Sequence, residues 1–502
     1  MTKWPTLGIA AAIVTLSCSF AMKESSGSES AAPATSAPAP AQGGRAVNIT
    51  KLYIDTCGKC HGDAGQGGGG GTKTLLTKDL FDQKHDKPFF DAIKNGVPQA
   101  GMDAYGATQS DEEIWALVVH IRELQGRALR QQFGSPKPND LGVFASKYHN
   151  FKVETVVDQG KGLATPWSID WLPDGRMLVT NRPGSLLVVK DGNVLAKVEG
   201  LPASVEQGQG GLMEVAVHPR NGFIYLSVAD PAKPGASGAM TKIVRGKIKF
   251  EGAKATWTNQ ETIFELDQAF YNGSGVHFGG KIAFNKSGHV FFSIGERGSA
   301  EFAQDPTRPN GKIYRVNEDG SIPSDNPFAS AADKAQKRIG AIWSMGHRNP
   351  QGLTFTPDGK LYDTEHGPRG GDEVNLIAKG ANYGWPTAAF SINYNDSPLS
   401  TPWPKPGQNI TLPLFRWLPS IGASGLDVAR GSAFPKWNGD LIAGGLAGNN
   451  IDRIRVANGA LVEREELLQG MGRVRDLATA PDGSIYVALN QPDKIIRLVP
   501  AK

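Results

Sequence analysis

Apolar and polar residues alternate over short runs in the C-terminal two thirds of the chain, and tight turns separate these runs. From about residue 151, six segments share the order apolar run, Gly-bearing turn, apolar run: 171–189, 215–230, 282–298, 353–368, 432–446 and 477–489. The pattern is typical of β-hairpins. The turn glycines are Gly175, Gly222, Gly288, Gly359, Gly439 and Gly483. Six hairpins joined by loops of unequal length predict an all-β, six-bladed β-propeller over residues 151–502.

Closure of the ring requires a strand from the beginning of the propeller. The last blade of such a ring commonly takes strands from both chain ends, and residues 147–160 contain a candidate for this closing strand. A two-sheet sandwich is the alternative fold. It would not ordinarily use roughly 350 residues or repeat one hairpin six times.

A helical pattern precedes the propeller. Ser110 is a plausible N-cap, Glu113 follows three residues later, and Ile114, Leu117, Val118 and Ile121 form one apolar face. This combination predicts a helix that begins after Ser110. We expect a small all-α domain over residues 47–130 and a linker over 131–150.

The N-terminus is predicted to be an export signal. Lys3 supplies a positive charge, and the ten apolar residues 7–16 are too few to span a bilayer. The signal peptide covers residues 1–22. Cys18 resembles the lipidated cysteine of a bacterial lipoprotein, which would anchor the protein to a membrane; ordinary cleavage after Ala21 is the alternative. The Ser/Ala/Pro/Gly-rich residues 23–46 predict a disordered linker, and the mature protein is expected in the periplasm.

Composition narrows the class of protein. The chain has 502 residues, a formal net charge of +4 and only three cysteines. So small a net charge predicts no nucleic-acid partner, and three cysteines exclude a disulfide-stapled fold. The 62 glycines and 33 prolines, without a collagen period, favour a turn-rich β protein.

Two of the three cysteines lie in the string CGKCH, which is the attachment signature of c-type haem. The thiols of Cys57 and Cys60 form the thioether bonds, and His61 is placed to ligate the iron. A thioredoxin-like pair would need a βαβ setting. A zinc site would need two further Cys or His ligands at suitable spacing, and the chain has no second C-x-x-C.

Residues 47–130 resemble the class I cytochrome c family, with a helix before CGKCH and a helix after the loop GVPQAGMDAYG. The resemblance implies His61 and Met102 as the axial ligands of the haem iron. His85 and His120 are competitors for the sixth position. His/Met ligation raises the potential of a haem and suits electron transfer.

Residues 155–500 resemble the soluble quinoprotein glucose and aldose sugar dehydrogenases, which are propellers that bind pyrroloquinoline quinone (PQQ). The resemblance rests on strings such as GQGGLMEVAVHP, SMGHRNPQGLTFTPDGKL and TEHGPRGGDEVNLIAKGANYGWP. It implies that Gln209, Arg348 and Asn349 contact PQQ. The carbonyl groups of Gly367 and Pro368 are implied to bind calcium, a cation that prefers oxygen ligands. Asp372 is a nearby position of the family pattern.

A flat quinone with three carboxylates needs cationic partners. Arg473 and Arg475 are two residues apart, on one face of a predicted strand, and suit carboxylates. By resemblance they hold PQQ; the alternative for an arbitrary R-x-R is an ion pair with Asp476 or Glu463. His277 matches the general base of the family, which takes the C1 hydroxyl proton of the sugar.

Three positions depart from the family pattern. Val276 stands where glucose-specific members carry Asp, Ala447 where several members carry Lys, and His366 where they carry Gln. Loss of the Lys removes a positive charge that faces an anionic cofactor. Val276 resembles the aldose-type branch, which accepts a broader range of sugars.

The expected function is oxidation of an aldose at C1 to its lactone by a calcium–PQQ propeller. Electrons then pass to the fused haem c and onward to a periplasmic electron-carrier protein. Alternatives are a PQQ dehydrogenase for a sorbosone-like substrate, a non-catalytic ligand-binding propeller with a haem sensor, and a lactone-hydrolysing calcium propeller. Intact His277, Arg473 and Arg475 favour the enzyme over the binding module.

Overall fold

All six turn glycines of the sequence pattern adopt φ between 69° and 90°, where a Cβ atom would strain the backbone. The structure, a computed structural model, describes residues 47–68, 73–235 and 237–501. Each glycine lies in the turn of an antiparallel hairpin that begins a group of four strands, or of five strands for Gly483. The predicted signal over 1–22, with Cys18, and the predicted linker over 23–46 lie outside these ranges.

The N-terminal part of the described chain is helical. Its helices are α1 (Ile49–Thr56), α2 (Gly58–His61), α3 (Asp86–Asn95) and α4 (Asp111–Phe133). Ser110 caps α4 as the sequence predicts: its hydroxyl accepts from the Glu113 amide at 3.2 Å, and the Glu113 carboxylate accepts from the Ser110 amide at 2.8 Å. A fifth helix, α5 (Ala331–Ala335), lies in a loop between strands. Within the described residues, no helix is long and apolar enough to span a membrane.

The strands of residues 143–500 form five hydrogen-bonded sheets across the described ranges. The largest contains β3 (Pro166–Trp171), β4 (Met177–Asn181), β5 (Ser185–Lys190), β6 (Asn193–Glu199), β10 (Lys254–Phe264), β9 (Ala239–Glu251), β8 (Ile224–Pro231) and β7 (Leu212–Val217), in that order. Its two halves meet only through a short parallel pairing of Ala255 and Thr256 with Val198 and Glu199. Each half therefore resembles the four-stranded sheets that follow.

Three sheets have four antiparallel strands each. The first contains β11 (Ile282–Phe284), β12 (Val290–Ile294), β13 (Lys312–Val316) and β14 (Ile342–Met345). The second contains β15 (Pro350–Phe355), β16 (Leu361–Glu365), β17 (Asp372–Ile377) and β18 (Phe415–Trp417). The third contains β19 (Ala423–Val428), β20 (Leu441–Gly445), β21 (Asn450–Ala457) and β22 (Ala460–Gln469).

The remaining sheet joins both ends of the β region. It contains β1 (Val143–Ala145), β2 (Asn150–Val157), β25 (Lys494–Pro500), β24 (Ile485–Asn490) and β23 (Arg473–Thr479). Strand β2 pairs antiparallel with β25, with Phe151 opposite Pro500. The closing strand predicted within 147–160 is therefore present.

Aromatic and aliphatic side chains fill the space between neighbouring sheets. Tyr225, Phe292 and Tyr314 are fully buried in one such layer, and the Phe292 and Tyr314 rings stack with centroids 5.1 Å apart. Each large apolar side chain of this kind stabilises the fold by about 1.5–3 kcal/mol. Close packing between sheets fixes the loops at the strand ends, where the candidate site lies.

Candidate active site

His277 lies in the loop that leads into β11, and its side chain is 14% exposed. Its backbone has φ 54°, a left-handed conformation uncommon for a residue with a Cβ atom. Gln209 accepts a hydrogen bond from the His277 amide at 2.9 Å, and Glu296 pairs with Nδ1 of the imidazole. Strained residues held in this way are frequent at functional sites.

The pairing with Glu296 determines the protonation of His277. Burial lowers the pKa of His277, the charge of Arg348 lowers it further, and Glu296 opposes both effects. Burial alone would raise the pKa of Glu296, but the hydrogen bond and charge of His277 outweigh it, and the pKa of Glu296 falls. The ionised carboxylate keeps the proton on Nδ1, so Nε2 retains its lone pair. Such an imidazole can accept a hydroxyl proton near neutral pH.

Glu296 is a site residue that the sequence analysis missed. It lies two residues after β12, in the string GERG, and its backbone amide donates to the Arg348 carbonyl at 2.8 Å. An acidic residue directly after a blade strand is the available signal in the sequence. That signal does not identify its partner, because neither side-chain direction nor loop shape can be inferred from a hairpin pattern.

Asn349 and Gln351 attach the His277 segment to the next sheet. Oδ1 of Asn349 accepts from the Gly279 amide at 3.0 Å, and the Gln351 side chain donates to the Gly279 carbonyl at 2.9 Å. Arg475 donates in turn to Oε1 of Gln351 at 3.2 Å, and its guanidinium lies 4.0 Å from the centre of the Trp167 ring. These bonds bring three of the predicted residues, His277, Asn349 and Arg475, into one connected network.

Arg348 is held by a buried polar cluster beneath it. The Arg348 amide donates to Glu365 at 2.6 Å, and Nδ1 of His347 lies 2.9 Å from the other oxygen of the same carboxylate. Nε2 of His347 lies 2.8 Å from the Ser344 hydroxyl. His347, Asp363 and Glu365 also have the spacing of metal ligands. Because both imidazole nitrogens and both Glu365 oxygens already have protein partners, we interpret the cluster as support for Arg348.

The buried His366 side chain lies close to Arg348 and Arg475, and to His277. Burial lowers its pKa well below the ordinary range, and Arg348, His277 and Arg475 each lower the pKa further. All three groups are therefore close enough to act on one imidazole. Its Nε2 atom is shielded from solvent and has no hydrogen-bond partner within the part of the chain that the structure describes. The positive charges of Arg348 and Arg475 near an unsatisfied polar atom fit an anionic, hydrogen-bonding ligand.

The Gly367–Pro368 turn is shaped by Asp372. This buried carboxylate accepts from the amides of Gly367 at 3.0 Å, Ile421 at 3.1 Å and Ala423 at 2.7 Å. Arg348 donates to the Gly367 carbonyl at 3.3 Å, so that carbonyl faces the cationic side chains. A carbonyl oxygen has two lone pairs, and the donor set therefore fits an additional hard cation.

Arg475 lies at a β-bulge in β23. Arg473 pairs with Asn490 across β23 and β24, but the register shifts between Val474 and Asp476, so Arg475 is the extra residue of a β-bulge. Arg473 and Arg475 are both partly exposed and flank the buried Val474, in keeping with the expectation that they share one strand face. Bulges commonly redirect a side chain near a functional site.

Asp476 and Glu463, the acidic residues considered as alternative partners for these arginines, pair with other side chains. Asp476 accepts from Lys281 at 2.7 Å, and Glu463 accepts from Lys147 and from Arg453. Among the departures from the family pattern, Ala447 is exposed in the turn after β20, and Val276 directly precedes His277.

The haem motif spans the short helix α2. Cys57 precedes the helix and is largely buried, which raises the pKa of its thiol, whereas Cys60 is exposed. His61 ends α2, and burial lowers the pKa of its imidazole. The neutral imidazole is the form that binds iron.

Met102 packs against the same apolar cluster as Cys57, in the helical part of the chain. Its loop is pinned by two backbone bonds with Val97, at 2.9 and 3.2 Å. His120 instead lies within α4, is 3% exposed, and places its ring 4.9 Å from that of Tyr53. His85 lies at the start of α3. Met102 therefore remains the proposed sixth ligand.

Comparison with known proteins gives two family matches. A family model described as Glucose / Sorbosone dehydrogenase matches residues 163–497, and a model described as Cytochrome C oxidase, cbb3-type, subunit III matches residues 44–121. The aldose sugar dehydrogenase YliI of Escherichia coli (strain K12) is 34% identical over 346 residues, which cover 68% of this chain and 90% of that protein. Quinoprotein glucose dehydrogenase B of Acinetobacter calcoaceticus is 32% identical over 272 residues, which cover 49% and 54%.

Solved structures agree with these matches. The apo-form soluble aldose sugar dehydrogenase of Escherichia coli has a TM-score of 0.62 and 32% identity, and the alignment covers 70% of this chain and all of that one. The PQQ-bound aldose sugar dehydrogenase of Streptomyces coelicolor has a TM-score of 0.54 and 26% identity, with 70% and 98% covered.

The fold and the similar solved structures together define the class of this protein: a largely β sugar-dehydrogenase propeller of the quinoprotein type. This chain belongs to the glucose/sorbosone dehydrogenase family, and it carries a cytochrome domain at residues 44–121. The resemblance seen in the sequence is confirmed. Membership of this family makes the protein an oxidoreductase of the sugar-dehydrogenase class.

Proposed function

We propose that the protein oxidises an aldose at C1 to its lactone with PQQ and calcium, and passes the electrons to its own haem c. The observation that carries this proposal is His277: a mostly buried imidazole, oriented by Glu296 and close enough to Arg348 for that charge to lower its pKa. A module that only bound a ligand would have no need for a base whose tautomer is fixed. Similarity to the aldose sugar dehydrogenases of Escherichia coli and Streptomyces coelicolor adds support.

The residues have distinct roles in this proposal. His277 accepts the C1 hydroxyl proton at Nε2, and Glu296 stabilises the imidazolium that results. Arg348, Arg473 and Arg475 hold the cofactor carboxylates. If bound there, PQQ would supply the two-electron oxidant and calcium would supply a Lewis acid.

The remaining contacts are hydrogen bonds and carbonyl ligands. Asn349 and Gln209 contact PQQ; because Oε1 of Gln209 already accepts from His277, its NH₂ group is the part left for the cofactor. The carbonyl oxygens of Gly367 and Pro368 hold calcium. Asp372 keeps their turn in shape through its bond with the Gly367 amide.

The domain plan follows from the same proposal. Residues 47–130 form the cytochrome c domain, 131–150 a linker, and 151–502 the propeller. The blade count of six takes each half of the eight-stranded sheet as one blade, together with the three four-stranded sheets and the closing sheet.

A sugar panel tests the proposed function. The full-length protein is reconstituted with PQQ and Ca²⁺, and reduction of its haem and of a soluble dye is followed with aldoses and with a sorbosone-like substrate. Aldose-driven reduction of both acceptors supports the proposal, whereas preference for the sorbosone-like substrate supports the alternative enzyme. Binding of PQQ without reduction by any sugar would favour the ligand-binding propeller.

The haem ligands give a separate prediction. Met102→Ala should leave covalent haem on Cys57 and Cys60 with His61 bound, but should lower the reduction potential because a soft thioether ligand is lost. Redox titration and the visible spectrum measure this. An unchanged potential and spectrum would remove Met102 from the ligand set and point to His120 or His85.

We also propose that the protein is exported and held at the membrane by a lipid on Cys18. Cys18→Ser should then release it from the membrane fraction into the soluble periplasm, since one acyl-bearing residue is the anchor. Immunoblots of both fractions measure the effect. Equal membrane association of the two forms would assign Cys18 to a removed signal peptide.

A further inference from the structure

Helix α4 of the cytochrome domain contacts the loop that carries Gly367 and Pro368, here called the cofactor loop (residues 366–371). Arg369 of this loop donates to both oxygens of Glu123 on α4, at 2.9 and 2.7 Å. Both side chains are largely buried, with exposures of 28% and 13%. A bidentate pair of this kind fixes orientation as well as distance.

Arg369 also reaches the first helix. It donates to Asp396, and the second oxygen of that carboxylate accepts from the Thr50 amide at 2.9 Å. The Asp396 carbonyl accepts from the Ile49 amide at 2.9 Å. The N-terminus of α1 is thereby attached to the same arginine that binds α4.

Apolar contacts lie beside these polar contacts, and further ion pairs join Asp86 to Arg416 and Arg130 of α4 to Glu466. A Cβ atom at Gly370 would lie 3.1 Å from Val119 of α4 and 2.6 Å from Leu418, so backbone and helix approach closely there. The Trp115 ring of α4 packs edge-on against Phe390, at 5.6 Å between centroids. These side chains belong to one buried cluster that includes residues of both regions.

The contacts continue from α4 to the haem motif. His120 lies one turn before Glu123, and Arg369 and Asp396 are near enough to affect its pKa. The His120 ring lies 4.9 Å from the ring of Tyr53, whose hydroxyl donates to the Gly62 carbonyl at 3.1 Å, directly after CGKCH. A continuous packed path therefore joins the cofactor loop to the haem attachment site.

We propose that Arg369 is a positioning residue that holds the haem-bearing helices in a fixed place on the cofactor loop. This inference rests on the proposed function. Oxidation of an aldose at C1 releases two electrons and two protons, whereas ferric haem accepts one electron at a time. For each sugar, the haem must therefore be reduced twice. An external one-electron acceptor must reoxidise it after each reduction. A fixed position lets both internal transfers occur without a diffusional encounter.

The test separates transfer to haem from sugar oxidation. Glu123→Gln and Arg369→Gln are made in the full-length protein with PQQ, Ca²⁺ and covalent haem. Stopped-flow reduction of haem by sugar reports the internal transfer, and turnover with a soluble dye reports the oxidation itself. Arg497→Gln, which removes a similar pair with Glu154 at 2.8 and 2.7 Å far from α4, is the matched control.

We expect haem reduction to slow at least about fivefold in both variants, with dye turnover and the Arg497→Gln variant unchanged. The double variant should slow little beyond either single one, because both remove the same pair. Hydrogen exchange of the cofactor-free protein should increase in residues 369–371 and on the facing side of α4. This readout does not depend on activity.

Other outcomes would overturn the proposal. Unchanged haem reduction and unchanged exchange in both variants would show that the pair does not position the domain. Equal losses of dye turnover and haem reduction would assign Arg369 to the cofactor site itself. Absence of dye turnover in the unmodified protein would instead contradict the proposed function, while the exchange result would still test the docking.

Discussion

Replacement of His277 by Gln is expected to lower kcat for sugar oxidation by about 10²–10⁴-fold, which is the usual contribution of a general base. Gln cannot accept the C1 hydroxyl proton, but it can keep a hydrogen bond to Glu296. PQQ binding should persist, since Arg348, Arg473 and Arg475 still supply the positive charge. Dye-linked turnover together with cofactor titration measures both quantities.

Two controls accompany this variant. His289, in the turn at the other end of the β11–β12 hairpin, bonds to Asn285 at 3.1 Å, and His289→Gln should retain full turnover. Arg473→Ala should weaken the apparent affinity for PQQ, and excess cofactor should partly restore the rate. Turnover of His277→Gln at the unmodified rate would place the base elsewhere, with His366 as the next candidate.

The pH dependence follows from the same geometry. Because the pKa of His277 is lowered from its ordinary 6.5, the imidazole stays neutral, and able to accept a proton, below that pH. The acidic limb of kcat/KM should therefore fall below pH 6.5. Glu296 raises the pKa of His277, so Glu296→Gln should move that limb further toward acid while it lowers the maximum rate.

The hairpins were predictable because their signal is local. Each turn glycine has a positive φ that other residues rarely adopt, and each neighbouring run is a short, largely apolar strand. Residues such as His277 could also be found, because they lie in loops next to a blade strand. Family resemblance then supplied their roles.

Pairings between distant residues were not predictable. Glu123 and Arg369 are 246 positions apart, and their contact depends on how α4 lies on the propeller. The bulge at Arg475 depends on the register of β23 against β24, which the R-x-R string does not contain. Glu296 was missed for a similar reason: its carboxylate matters only because the His277 backbone bends toward it.

A cluster of buried charged side chains lies next to the segments that carry the site residues. Lys281 donates to Glu214 at 2.8 and 3.1 Å and to Asp476 at 2.7 Å, and none of the three side chains is more than 9% exposed. Glu214 lies on β7, Lys281 immediately before β11 and Asp476 on β23, so the cluster joins three strands of different hairpins. Each of these strands lies close in sequence to Gln209, His277 or Arg475.

Replacement of Lys281 by Met is expected to destabilise the propeller by about 3–5 kcal/mol at neutral pH, because two carboxylates stay buried without a cation. Burial already raises the pKa of Glu214, and Asp476 raises it further, although Lys281 opposes both. A carboxyl group whose pKa is higher in the folded than in the unfolded chain binds more protons when folded, so stability falls as pH rises between the two values. Without Lys281 this pH interval widens, and the loss of stability should be larger at about pH 7.5 than at about pH 5.

Urea-unfolding midpoints at both pH values measure the loss of stability. Lys249→Met, at an exposed pair with Glu251, is the control. Equal losses at the two pH values would show that the carboxylates do not stay buried once the lysine is gone.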